Sequence, residues 1–132
     1  MPQLFWISLG GALGTAARVL LAGWVQRSSA AWSPWGLALP LGTISVNLIG
    51  SFALGFLMQM GLDRGGEPST LRLALGTGVL GGFTTYSTFN YETLALFQDG
   101  SPGYAWANLG ATLLGCLAAS GLGVALGRRI FG

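Results

Sequence analysis

Thr43, Asn47 and Ser51 recur at every fourth residue of one apolar stretch, and Tyr104, Asn108, Thr112 and Cys116 do the same in another. A four-residue step keeps side chains on one face of a helix, so each set forms a polar stripe on an otherwise apolar cylinder. The chemistry these residue types offer is hydrogen bonding in series. A single amide such as Asn47 between apolar helices is ordinarily an interhelical hydrogen bond. A stripe three turns long also suits a wet or ion-lined track, and both readings of Asn47 stand at this stage. Acid and base catalysis lacks its carriers, because there is no histidine and the four acidic residues are scattered without a pair. The single Cys116 excludes an intramolecular disulfide and a multi-cysteine metal site, and the missing histidines remove zinc sites, Ser-His-Asp triads and histidine relays. The chain is not expected to be an enzyme.

The second chemically suggestive run is Gly76-Thr77-Gly78-Val79-Leu80-Gly81-Gly82-Phe83-Thr84-Thr85-Tyr86-Ser87-Thr88-Phe89. Each glycine inside a helix costs ~1 kcal/mol, and two adjacent β-branched threonines lower the propensity further. A break is predicted near residues 81 to 86. At membrane depth, a break frees backbone N–H and carbonyl groups, which is tolerated only where they are buried in protein or line a polar cavity. Something polar should therefore bind there. Tyr86 and Phe89 share a face if helix resumes after the break, while Ser87 and Thr88 point elsewhere. The aromatic pair is either packing or part of the site.

These residues are carried on elements that the composition identifies. Of 132 residues, 52% are hydrophobic and 8% charged, against about 25% charged in soluble domains. The chain reads as an all-α membrane protein, a single domain over residues 1–132. Its four apolar stretches cover approximately residues 4–25, 35–60, 71–98 and 103–126, and each can cross a core of ~30 Å. Among the charged residues only Arg18 and Glu92 fall inside them, the others, Arg72 included, lying at or beyond their ends. The first stretch lacks a preceding basic region and is long enough to span, so it is expected to stay as a span. A net charge of +2 with the short pair Arg128-Arg129 argues for orientation and lipid headgroup contact and against nucleic acid.

Gly10 and Gly14 form a small-xxx-small pair for close helix approach, and Gly115, Gly121, Gly123 and Gly127 are read the same way. Arg18 lies seven residues before Val25, ~10 Å along a helix; it either snorkels to the interface or draws anions into a vestibule. Glu92 is read as reaching the interface at its span end. Arg27 to Trp35 reads as a loop with interfacial Trp24, Trp32 and Trp35, Met60 to Thr70 as a second loop, and Asp99 to Gly103 as a turn. Arg64, Arg72, Arg128 and Arg129 share one side of the membrane, against Arg27 and Arg18, a mild bias towards cytoplasmic termini. Four helices leave little room to enclose a polar path within one chain, so the stripes are expected to meet a second copy in a homodimer.

Taken together, Gly10-Gly11-Ala12-Leu13-Gly14-Thr15-Ala16-Ala17-Arg18, then Gly42-Thr43-Ile44-Ser45-Val46-Asn47-Leu48-Ile49-Gly50, then Gly81-Gly82-Phe83-Thr84-Thr85-Tyr86-Ser87-Thr88-Phe89 resemble the CrcB/Fluc fluoride channels of bacteria and archaea across all four spans. The resemblance implies an antiparallel, dual-topology homodimer in the cell (inner) membrane, with two fluoride pores at the subunit interface. It also implies a central structural sodium ion and passive export of fluoride from the cytoplasm. By position, Gly81 and Thr84 match the residues whose carbonyls hold sodium, once from each subunit. Tyr86 and Phe89 match a pair of pore phenylalanines, whose electropositive ring edges face an anion. Asn47 matches the pore asparagine, Asn108, Thr112 and Cys116 the polar track of the last span, and Arg18 the first-span arginine at the vestibule. Two positions depart from the family pattern: Tyr86 replaces phenylalanine, and Cys116 replaces serine with a weaker donor.

Fluoride is small and strongly hydrated, so its path must replace water with donors. Asn47, Asn108, Thr43, Thr112 and the third-span hydroxyls of Ser87 and Thr88 supply them. A small multidrug-type exporter is the main rival, but proton-coupled cation export calls for an embedded carboxylate and the first two spans have none. A structural membrane subunit would explain the glycines and leave the stripes and the break without purpose.

Overall fold

The computed structural model describes residues 2–32, 39–63 and 66–132. Ser33, Pro34, Trp35 and Arg64, placed by the sequence in loops or at a span start, lie outside the described residues. Helix α1 covers Pro2–Trp32, α2 covers Leu41–Leu57 and the final α6 covers Pro102–Phe131. The third pass is composite: α3 (Thr70–Leu73) leads into a π-helical segment at Ala74–Leu80, then a single turn α4 (Gly81–Phe83), two extended residues, and α5 (Tyr86–Gln98).

The loop expected from Arg27 onwards is helical as far as Trp32. No glycine or proline interrupts residues 27 to 32, and the helix has no intrinsic reason to stop before the restriction that Pro34 places on its predecessor. The turn between the last two helices forms as its sequence indicates. Gly100 adopts φ 72°, Ser101 N–H donates to the Leu96 carbonyl at 2.9 Å and Gly100 N–H to Phe97 at 3.3 Å, a Schellman closure. Pro102 then occupies the first turn of α6, where its missing N–H costs nothing.

α2 lies between α1 and α6, α1 also lies along the π-helical segment and α4, and α5 packs on α6. The backbones meet where side chains are absent. A Cβ on Gly10 would lie 2.5 Å from the Ala74 carbonyl oxygen, one on Gly82 2.5 Å from that of Gly11, and one on Gly123 would overlap the Phe52 carbonyl. Close approach through small residues is the usual means of joining helices when lipid removes the hydrophobic drive between them. Gly121 departs from this reading, since nothing lies within 4 Å of a Cβ there. The buried apolar core is small: Ile44, Val46, Leu57, Phe83, Phe89, Leu96 and Ala105. Outward-facing leucines such as Leu20 and Leu114 are 70–72% exposed, which for a protein this apolar places lipid or another subunit against them. α1 and α6 are each long and apolar enough to cross a membrane.

Candidate functional site

The break falls at Thr84 and Thr85, inside the predicted window, with φ/ψ of −85°/157° and −149°/119°. Thr84 closes the preceding turn through its N–H and its hydroxyl, both donating to the Leu80 carbonyl at 3.0 Å. Thr85 starts the next helix as an N-cap: its Oγ1 accepts from the Thr88 N–H at 3.3 Å and donates to the Thr88 hydroxyl at 3.0 Å. Asn47 of α2 satisfies the exposed backbone between them. Its Nδ2 donates to the Thr85 carbonyl at 2.9 Å and its Oδ1 accepts from the Thr85 N–H at 2.7 Å. The interhelical reading of Asn47 is thus realised as a two-point clamp on the break, and one amide proton is left over.

Not every group at the break is engaged. Among the described residues, the carbonyls of Gly81 and Thr84 accept no hydrogen bond, whereas that of Gly82 accepts from the Thr15 hydroxyl at 3.5 Å. Carbonyls released where a membrane helix unwinds carry partial negative charge and suit a small monovalent cation.

Beside the break lies an open-sided groove of about 340 Å³, lined by α2, α5 and α6. It gathers Asn47, Thr84, Tyr86, Phe89, Thr112 and Cys116 from the sequence candidates. Phe89 is 3% exposed and meets the exposed Tyr86 edge to face, with ring centroids 5.8 Å apart. Ser51 of the α2 stripe, Thr85, Leu113, Leu117 and Ser120 complete the lining, and the Ser120 hydroxyl donates to the Ser51 carbonyl at 3.2 Å.

Other candidates stand elsewhere. Asn108 is fully buried behind Phe89, donating to the Thr93 hydroxyl at 2.8 Å; Thr93 in turn donates to the Phe89 carbonyl at 2.8 Å. The Thr112 hydroxyl donates to Asn108 Oδ1 at 3.5 Å, so a buried chain of hydrogen bonds links two walls of the groove. Thr93 is a positioning residue that the polar stripes left out, although its place four residues after Phe89 on the same face was a usable signal. Ser87 and Thr88 do not line the groove, nor does Arg18, whose Nε is buried on α1 without a partner among the described residues. Thr43 donates to Glu92 Oε1 at 2.8 Å near the start of α2. Glu92 therefore turns inward, and its second oxygen is buried with no partner among the described residues, contrary to the expectation that it reaches the interface. Next to this pair, Gln26 of α1 caps α2. Its Oε1 accepts from Gly42 N–H at 3.1 Å and its Nε2 donates to the Leu39 carbonyl at 3.4 Å, because Pro40 brings no capping side chain.

A broken helix, clamped by an amide and flanked by a groove that sets hydroxyls, an amide and a thiol among aromatic and leucine side chains, together with two helices long enough to span, defines a small helical membrane protein. The chain belongs to the CrcB family: residues 5–124 match the family described as CrcB-like protein, Camphor Resistance (CrcB). Its relatives include three proteins named fluoride-specific ion channel FluC. That of Sorangium cellulosum is 45% identical over 130 residues, covering 98% of both chains. That of Anaeromyxobacter dehalogenans is 49% identical over 120 residues, covering 91% of this chain and 90% of its own. That of Geobacter metallireducens is 44% identical over 130 residues, covering 98% and 100%.

Proposed function

We propose that the protein is a fluoride-selective channel of the inner membrane that lets fluoride leave the cytoplasm down its gradient. The observation that carries this reading is the groove, where hydrogen-bonding groups stand beside the aromatic rings of Tyr86 and Phe89, with no lysine in the chain and Arg18 outside the lining. An anion shedding water there meets neutral donors, which hold it without trapping it. The names of the full-length relatives support fluoride as the ion.

The groove is open on one side, and a lumen needs a wall there. A second copy, inserted in the opposite orientation, supplies it in this reading, giving an antiparallel homodimer with two such paths. The unengaged carbonyls of Gly81 and Thr84 fit a structural sodium ion shared between the copies; when bound, that ion would neutralise the two broken helices against each other. The exporter reading finds no support in the geometry, because Glu92, the acid of the third pass, is tied to Thr43 and lies outside the groove.

The assembly is tested by light scattering and thermal unfolding of detergent-purified protein in sodium or in N-methylglucamine. Protein mass of two 13.6 kDa chains and a higher melting temperature in sodium are expected, since a ligand bound only to the folded dimer stabilises it. A monomer indifferent to sodium would contradict both the dimer and the cation site.

A further inference from the structure

Apart from the exposed Tyr86 hydroxyl at the rim, which makes no hydrogen bond among the described residues, the hydroxyl protons of the threonines and of Ser120 around the groove are committed to protein acceptors. Thr84 gives its proton to Leu80, Thr85 to Thr88, Thr112 to Asn108 and Ser120 to the Ser51 carbonyl. A hydroxyl whose proton is engaged presents only lone pairs to the cavity, and lone pairs repel an anion. The α6 wall therefore offers little besides the weak thiol donor of Cys116. On the α2 wall, Asn47 keeps one amide proton, and the Ser51 hydroxyl has no hydrogen-bond partner among the described residues while its oxygen is not sealed from the cavity. Ser51 follows Asn47 by four residues, about 6 Å along the same helix face. Its carbonyl is held by Ser120, which ties that turn of α2 to α6.

From this distribution of protons we infer that Ser51 is a second anion-binding donor of the groove, and that fluoride passes between Asn47 and Ser51 along the α2 wall. The inference rests on the channel reading and adds to it a residue and a side of the groove. Two neutral donors one turn apart let the ion gain a new charge-assisted hydrogen bond as it gives up the old one.

The test is fluoride efflux from liposomes carrying wild-type protein, Ser51→Ala, Ser51→Thr or Ser51→Cys, with dimer mass measured for each. Ser51→Ala is expected to slow efflux roughly tenfold or more, the loss of one hydrogen bond to a charged partner, while Ser51→Thr, which keeps the hydroxyl, stays near wild type. Wild-type efflux from a dimeric Ser51→Ala would overturn the proposal. Should the alanine variant fail to fold, Ser51→Cys decides: intermediate efflux supports the donor role and unchanged efflux overturns it. Absence of efflux from the wild type itself would defeat the channel reading, and the proposal with it.

Discussion

Asn47→Asp is expected to slow fluoride efflux by at least a hundredfold while leaving the assembly state of the protein as it is in the wild type. The carboxylate keeps an acceptor for the Thr85 N–H, so the bond now at 2.7 Å survives, but it cannot donate to the Thr85 carbonyl, now bonded at 2.9 Å. More importantly, it places a negative charge on a residue that lines the groove. Two like charges about 4 Å apart repel by ~4 kcal/mol at an effective dielectric of about 20, and each 1.4 kcal/mol is about tenfold in rate. Electrostatic exclusion thus dominates over the single lost backbone bond. Efflux and light scattering on the same preparation check the result, and unchanged efflux would remove Asn47 from the path.

The second large effect is steric. Gly14→Val leaves little or no folded protein, because even the Cβ would overlap the Val79 carbonyl oxygen and lie 2.9 Å from the Val79 carbonyl carbon and 3.0 Å from the Phe83 nitrogen. All three atoms are backbone, so no rotamer change relieves the contact and α1 must move off the third pass as a unit. That displacement would also open the turn that presents Gly81 and Thr84. Gly121→Ala is the matched control. Nothing lies within 4 Å of its added methyl, and alanine improves helix propensity by ~1 kcal/mol. The recovered monodisperse fraction and melting temperature are expected to collapse for the first variant and hold for the second.

The break was legible because its cause is local: glycine pairs and β-branched residues weaken a helix wherever they stand. The clamp was half legible. Periodicity put Asn47 on a polar face, but its partner Thr85 is 38 residues away, a separation that only the packed fold closes. The polar stripes misled in one respect, for a physical reason. Each four-residue step rotates about 40° past a full turn, so a stripe drifts around its helix. On α6 the drift turns Asn108 into the packing with Thr93 of α5 while Thr112 and Cys116 face the groove; on α2 it turns Thr43 towards Glu92 and Ser51 towards the groove. The π-helical winding of Ala74–Leu80 had no distinct signal, since its glycines serve packing, Gly78 against α1 and Gly76 against Leu54, Leu57 and Met58, as well as loosening the helix. The inward turn of Glu92 depends on Thr43, 49 residues away, and no span-end rule could supply it.

The measurement that bears most directly on the central claim is fluoride efflux from liposomes containing the purified wild-type protein, followed with a fluoride electrode and with chloride efflux as the control. Fast loss of fluoride with chloride retained is the expected result. No fluoride loss from protein shown to be folded and dimeric, or equal loss of both ions, would contradict the account.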